Sequence, residues 1–102
     1  MVGIDPHNRS AHVGVTLRPA FRGRGLSSDV VQVLNAYGFT TRGLNRLQLE
    51  TLADNAPMIA AATRAGYREE GVLRQAAWVD GQFVDEVVFG LLSANWSHSD
   101  RS

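Results

Sequence analysis

The chain has 102 residues, 44% of them hydrophobic, which suits one small packed domain and is too short for a repeat array or a two-domain enzyme. Ten basic residues balance ten acidic ones, so no net basic field draws the chain to nucleic acid or an anionic membrane. All ten cations are arginine and cysteine is absent, which excludes Schiff-base and Walker-type lysine chemistry, disulfides, a thiol nucleophile and thiolate-bound zinc. Three scattered histidines make a poor metal set, and no metal is expected. No apolar run approaches the ~20 residues of a membrane span, and the N-terminus lacks the pattern of a signal peptide. The chain is therefore expected to be soluble and cytoplasmic.

Met1-Val2-Gly3-Ile4 looks like part of a strand, with Asp5 to Ser10 as the turn that follows. From Ala11 to Leu17, Val13, Val15 and Leu17 alternate with His12, Gly14 and Thr16, the period of a half-buried strand, and Pro19 ends it. A turn with two glycines, Phe21 to Gly25, leads into Leu26, Val30, Val33, Leu34 and Tyr37 at helical spacing. Leu47, Leu49 and Thr51 then alternate with Arg46, Gln48 and Glu50 in a second strand, so strand, helix and strand predict a parallel pair. Asn55 or Asp54 can cap a short helix with Pro57 in its first turn, an apolar face of Met58, Ile59, Ala62 and Ala65, and Gly66 at its end. Asp80-Gly81, between strands Val72 to Val79 and Gln82 to Leu92, is a strong hairpin signal. Ser93 to Ser102 is polar and reads as a loose tail carrying an exposed His98.

The turn Arg22-Gly23-Arg24-Gly25-Leu26-Ser27 sits before a helix N-terminus, where unpaired N–H groups and the helix dipole favour an anion. A plain structural turn has the same composition. A Rossmann fingerprint needs a third glycine where Ser28 stands, and a P-loop needs a Gly-Lys pair that is absent.

Leu17-Arg18-Pro19-Ala20-Phe21-Arg22-Gly23-Arg24-Gly25-Leu26-Ser27 resembles the acetyl-coenzyme A loop of the GNAT family of N-acetyltransferases, whose signature is Gln/Arg-x-x-Gly-x-Gly/Ala; Ser27 departs from its last position. Leu47 to Thr51, Asn55, Gly66 to Gly71, Asp80-Gly81 and Asp85 resemble the second half of the same family, in its ribosomal-protein N-terminal acetyltransferase branch. The resemblance runs from about Ala11 to Leu92 and implies an α/β fold with a mixed central sheet, two helices and a closing antiparallel hairpin. Residues 1–92 would then be a partial acetyltransferase domain that lacks the family's N-terminal strands and helices, and 93–102 a tail.

The resemblance further implies that the strands Val13 to Leu17 and Leu47 to Thr51 splay apart to admit the pantetheine arm of acetyl-CoA. Backbone groups of Val15 and Leu17 would pair with that arm, Arg22, Gly23, Arg24, Gly25, Leu26 and Ser27 would hold the pyrophosphate, and Asn55 would place an amide nearby or cap a helix. Glu50 is similar to a glutamate used as general base, and by alternation it faces away from Leu49 and Thr51. The acid of many relatives has no counterpart, because Ala62 and Met58 occupy its positions. Tyr67 is expected to pack in the core and Trp78 to be an anchor or lid; Asp85 and Glu86 could contact a cationic amine, although a cross-strand partner such as Arg74 is the simpler account; His7 and His12 could line an acceptor cleft. The implied partner is an amine, either a peptide N-terminus or a small molecule, and an uncovered sheet edge points to a homodimer. The other readings are a truncated module that binds coenzyme A or a protein without turnover, and a nucleotide-binding half-domain.

Overall fold

Asp5 shapes the first turn: its Oδ1 accepts the backbone N–H groups of His7 and Asn8, each at 3.1 Å, and its Oδ2 accepts from Asn8 Nδ2 at 2.7 Å. These bonds, Asn8's first, hold the Asp5 carboxyl below the usual carboxylate range. The turn joins β1 (Val2–Asp5) to β2 (Ser10–Val15) in an antiparallel hairpin. The computed structural model of the chain describes residues 2–15 and 26–99. The Gly-rich turn and Leu17 therefore lie outside the described residues.

The helix α1 (Leu26–Asn35) continues into a π-helical turn at Ala36–Thr41. Val30 and Leu34 are partly buried as expected, but Val33 and Tyr37 are 67% and 47% exposed. The inward face is centred instead on Val31, Leu34 and Asn35, and the wider π turn shifts the phase so that Gly38 and Phe39 enter the core in place of Tyr37. A hydrophobic period of 3.6 cannot anticipate that step.

The strand β3 (Arg46–Leu52) lies parallel to β2, in register from Ser10–Arg46 to Val15–Thr51. The strands stay paired as far as Val15 and Thr51, so the splaying implied for Val13 to Leu17 against Leu47 to Thr51 is not found up to that point, and Thr16 and Leu17 lie outside the described residues. The helix α2 (Ala56–Arg64) has Asn55 as its cap and Pro57 in its first turn, and Gly66 follows with φ 97°, in the region that glycine tolerates.

At the predicted hairpin, Asp80 and Gly81 have φ of 49° and 81°, the pair of positive values that a two-residue turn of matching twist requires. It joins β4 (Arg68–Val79), which starts earlier than the expected Val72, to β5 (Gln82–Leu92). A bulge between Leu73 and Ala77 puts Gln75 at φ 53°, and its backbone N–H donates to Asp85 Oδ1 at 2.8 Å. Asp85 thus serves a main-chain donor freed by the bulge, not the expected Arg74. The expected loose tail is also corrected: Ser93–Ser99 form a helix, α3, because Trp96 packs on the core and lies 5.2 Å from Phe39 between ring centroids.

The five strands make one mixed sheet in the order β1-β2-β3-β5-β4, so the expected α/β class holds, with a third helix added. One face carries Ala11, Leu47, Leu49, Val87, Phe89 and Leu91, packed with Val31, Met58, Ala61 and Ala62 of the helices. Tyr67 is buried as expected, and its hydroxyl donates to Asn35 Oδ1 at 2.6 Å. Burial pushes that phenol well above its usual value. At the far end of the hairpin, where β5 has run past β3 and pairs only with β4, Trp78 and Phe83 stack edge-on at 4.8 Å and stay largely exposed.

Candidate active site

Alternation along β3 divides its side chains between two environments. Leu47, Leu49 and Thr51 are buried under the helices, whereas Arg46, Gln48 and Glu50 are half-buried on the opposite face. Residues in register on the neighbouring strands carry that face sideways: Gly3 and His12 lie level with Gln48, and Gly14 and Val88 flank Glu50.

Gly3 and Gly90, the latter level with Gln48 on β5, give the face its shape. A Cβ at Gly3 would collide with the His12 ring, and one at Gly90 would collide with the carboxylate of Glu70 and the guanidinium of Arg46. Because β5 lies between β3 and β4, the Arg46–Glu70 pair has to cross β5, and it crosses over Gly90. Arg46 Nη1 donates to Glu70 Oε2 at 2.9 Å while its Nη2 bonds Glu70 Oε1, a two-point contact. The Arg46 hydrogen bonds hold the Glu70 carboxyl below the usual carboxylate range. With side chains 30% and 39% exposed, the pair contributes at most about 1 kcal/mol to stability. Its larger effect is to fix the guanidinium, whose Nη2 also donates to Gln48 Oε1 at 3.0 Å; Gln48 Nε2 in turn donates to Glu50 Oε2 at 2.9 Å.

Glu50 therefore stands on the open face as alternation predicts, anchored through one oxygen and bordered on the β2 side by a residue without a side chain. Asn55 lies elsewhere. It is fully buried, its Oδ1 accepts from the Met58 N–H at 3.4 Å, and its Nδ2 donates to Thr51 Oγ1 at 3.2 Å. The oxygen caps the start of α2, and the NH2 group ties that start back to β3. Met58 and Ala62 are fully buried in the core, consistent with their lack of a proton to give. His12 is exposed on the open face and His7 is exposed in the first turn.

Among the predicted cofactor residues, Val15 pairs with Thr51 at the end of β2, and Leu26 and Ser27 open α1. Leu17, Arg22, Gly23, Arg24 and Gly25 lie outside the described residues. The ten-residue helix α1 begins at Leu26, two positions after Arg24 in the chain. Among the described residues no cluster of three or more His, Asp or Glu could hold a metal ion. Sequence reading does not single out Arg46, Gln48 and Glu70; the available signal was three polar residues at every second position of one strand.

This sheet, with a helix crossing between its parallel strands and a long closing hairpin, places the chain in the GNAT acetyltransferase family, whose domain model, Acetyltransferase (GNAT) domain, matches residues 1–68. The uncharacterized N-acetyltransferase p20 of Bacillus licheniformis is 33% identical over 94 residues, covering 92% of this chain and 53% of that protein. The putative ribosomal N-acetyltransferase YdaF of Bacillus subtilis (strain 168) is 31% identical over 93 residues, covering 91% and 51%. A crystal structure of a probable acetyltransferase superposes with a TM-score of 0.76 at 32% identity, over 90% of this chain and 52% of that one. The chain thus spans about half the length of the curated relatives it matches.

Proposed function

We propose that this chain takes part in acetyl-CoA-dependent N-acetylation of a primary amine, on a peptide N-terminus or a small molecule. The observation that carries this reading is Glu50: a carboxylate on the open sheet face, held by one oxygen, beside the bare backbone of Gly14. In the proposed reaction Glu50 accepts a proton from the acceptor's amine, which needs its lone pair to become a nucleophile. Acetyl-CoA, when bound, supplies the acetyl group as a reactive thioester. Backbone groups of Val15 and Leu17 align its arm, Arg22 to Ser27 hold its diphosphate, and Asn55 acts by fixing the start of α2 beside the same strand. The same reading places the chain in the cytoplasm as a homodimer.

A second reading, coenzyme A binding without turnover, is favoured by the burial of Met58 and Ala62, which leaves the departing thiolate without a proton donor at either position. Calorimetric titration of the purified chain with acetyl-CoA, with its mass in solution measured on the same sample, tests the shared part. Saturable binding that Gly25→Asp abolishes is the expected result; no binding by the folded chain refutes both. Glu50→Gln then separates them, because a base is worth roughly 10²-fold or more in turnover, while cofactor binding should stay intact.

A further inference from the structure

The hydrogen bonds along β3 fix which end of Gln48 meets Glu50. Arginine has no acceptor, so the Gln48 atom that faces Arg46 at 3.0 Å must be the amide oxygen. The NH2 group then necessarily faces Glu50, at 2.9 Å from its Oε2. Amide orientation, commonly ambiguous, is here dictated by chemistry. Glu70 completes the chain of contacts from the other side: it holds Arg46 at two points across Gly90, which favours the guanidinium orientation that the amide oxygen meets.

We infer that Gln48 is the positioning residue for Glu50, with Arg46 and Glu70 behind it setting its polarity. Three consequences follow from the geometry. Glu50 meets a donor on Oε2, so that oxygen is committed to the Gln48 amide. The other oxygen of Glu50 is the one to which an incoming amine would present its proton. The contact also restrains the carboxylate, which reduces the ordering required when the amine arrives. This inference rests on the reading of Glu50 as the base.

Two measurements on the full chain separate the parts. In NMR spectra, one Gln48 side-chain amide proton should resonate downfield of solvent-exposed glutamine amides, and both Glu50→Gln and Arg46→Leu should move it. Gln48 amide resonances at ordinary positions, indifferent to Glu50→Gln, would overturn the inference whether or not the chain turns over. In steady-state kinetics, Gln48→Leu should lower kcat about 10- to 100-fold, the worth of one hydrogen bond to a charged group, with the KM for acetyl-CoA and the melting temperature unchanged. Gln48→Glu is the decisive variant. It can still accept from Arg46 and so would rescue a merely structural role, but it cannot donate to an ionised Glu50 and should lower kcat further than leucine does. Full activity in Gln48→Glu overturns the inference, whereas full activity in Glu50→Gln overturns the base assignment and leaves the resonance test of the contact standing.

Discussion

Replacing Asn55 with alanine tests whether this side chain supports the fold or the ligand. The substitution removes two hydrogen bonds at once from a fully buried site. The cap bond to the Met58 N–H is long at 3.4 Å, which places its loss near the lower end of the usual range, about 0.5–1 kcal/mol. The bond to Thr51 Oγ1, at 3.2 Å between neutral groups, adds about 0.5–1.5 kcal/mol. Together they make about 1–2.5 kcal/mol, a sizeable share of the roughly 5–15 kcal/mol that holds a small domain together. In a chain of this size that is a drop of about 5–20 °C in melting temperature. Urea unfolding followed by circular dichroism should show a lower midpoint with the slope unchanged. A double-mutant cycle with Thr51→Val should return a coupling of about 0.5–1.5 kcal/mol, because either change alone destroys the same bond. An unmoved midpoint, or a fall in acetyl-CoA affinity without any loss of stability, would refute the structural assignment and return Asn55 to the ligand.

Two further perturbations probe the core. Tyr67→Phe strands the buried Asn35 carbonyl and should cost about 1–3 kcal/mol at neutral pH. Because burial raises the Tyr67 phenol, the native state keeps its proton after the unfolded chain begins to lose its own near pH ~10. Wild-type stability should therefore fall as the pH rises above that point, and unfolding curves of Tyr67→Phe between pH 8 and about 11 should show a flatter alkaline limb. Gly38→Ala would place a Cβ 2.9 Å from Leu47 Cδ2, inside the core, and should destabilise by about 1–3 kcal/mol of overpacking. Thermal melts of Gly38→Ala with Leu47→Val should recover part of that loss, since the smaller side chain vacates the contact.

What could be read from the sequence is what local chemistry decides. Asp80-Gly81 announced its turn because two consecutive left-handed residues are needed there, and Asn55 its cap because a helix start needs an acceptor. The alternation of Leu47, Leu49 and Thr51 assigned Glu50 to the opposite side correctly, but not which side the helices would cover. The π turn at Ala36–Thr41 escaped because a periodicity argument assumes a constant turn. Docking of Ser93–Ser99 depends on Trp96 meeting Phe39, two residues far apart in the chain. The contact chain through Gln48 was hidden for a similar reason: it requires the strand order to bring Gly90 between Arg46 and Glu70.

The two-sidedness of β3 also bears on how this stretch tolerates change. From Arg46 to Thr51, odd-numbered residues are buried in the interior, while even-numbered ones are half-buried on the other face and joined to one another by hydrogen bonds. A saturation library scored for folded protein should be intolerant at positions 47, 49 and 51 and permissive at 46, 48 and 50. The same library scored for catalysis should lose activity at the even positions as well. On the proposed reading of Glu50, foldability and chemistry are encoded in alternate letters of one short segment, so selection could retune the reaction there without reopening the core.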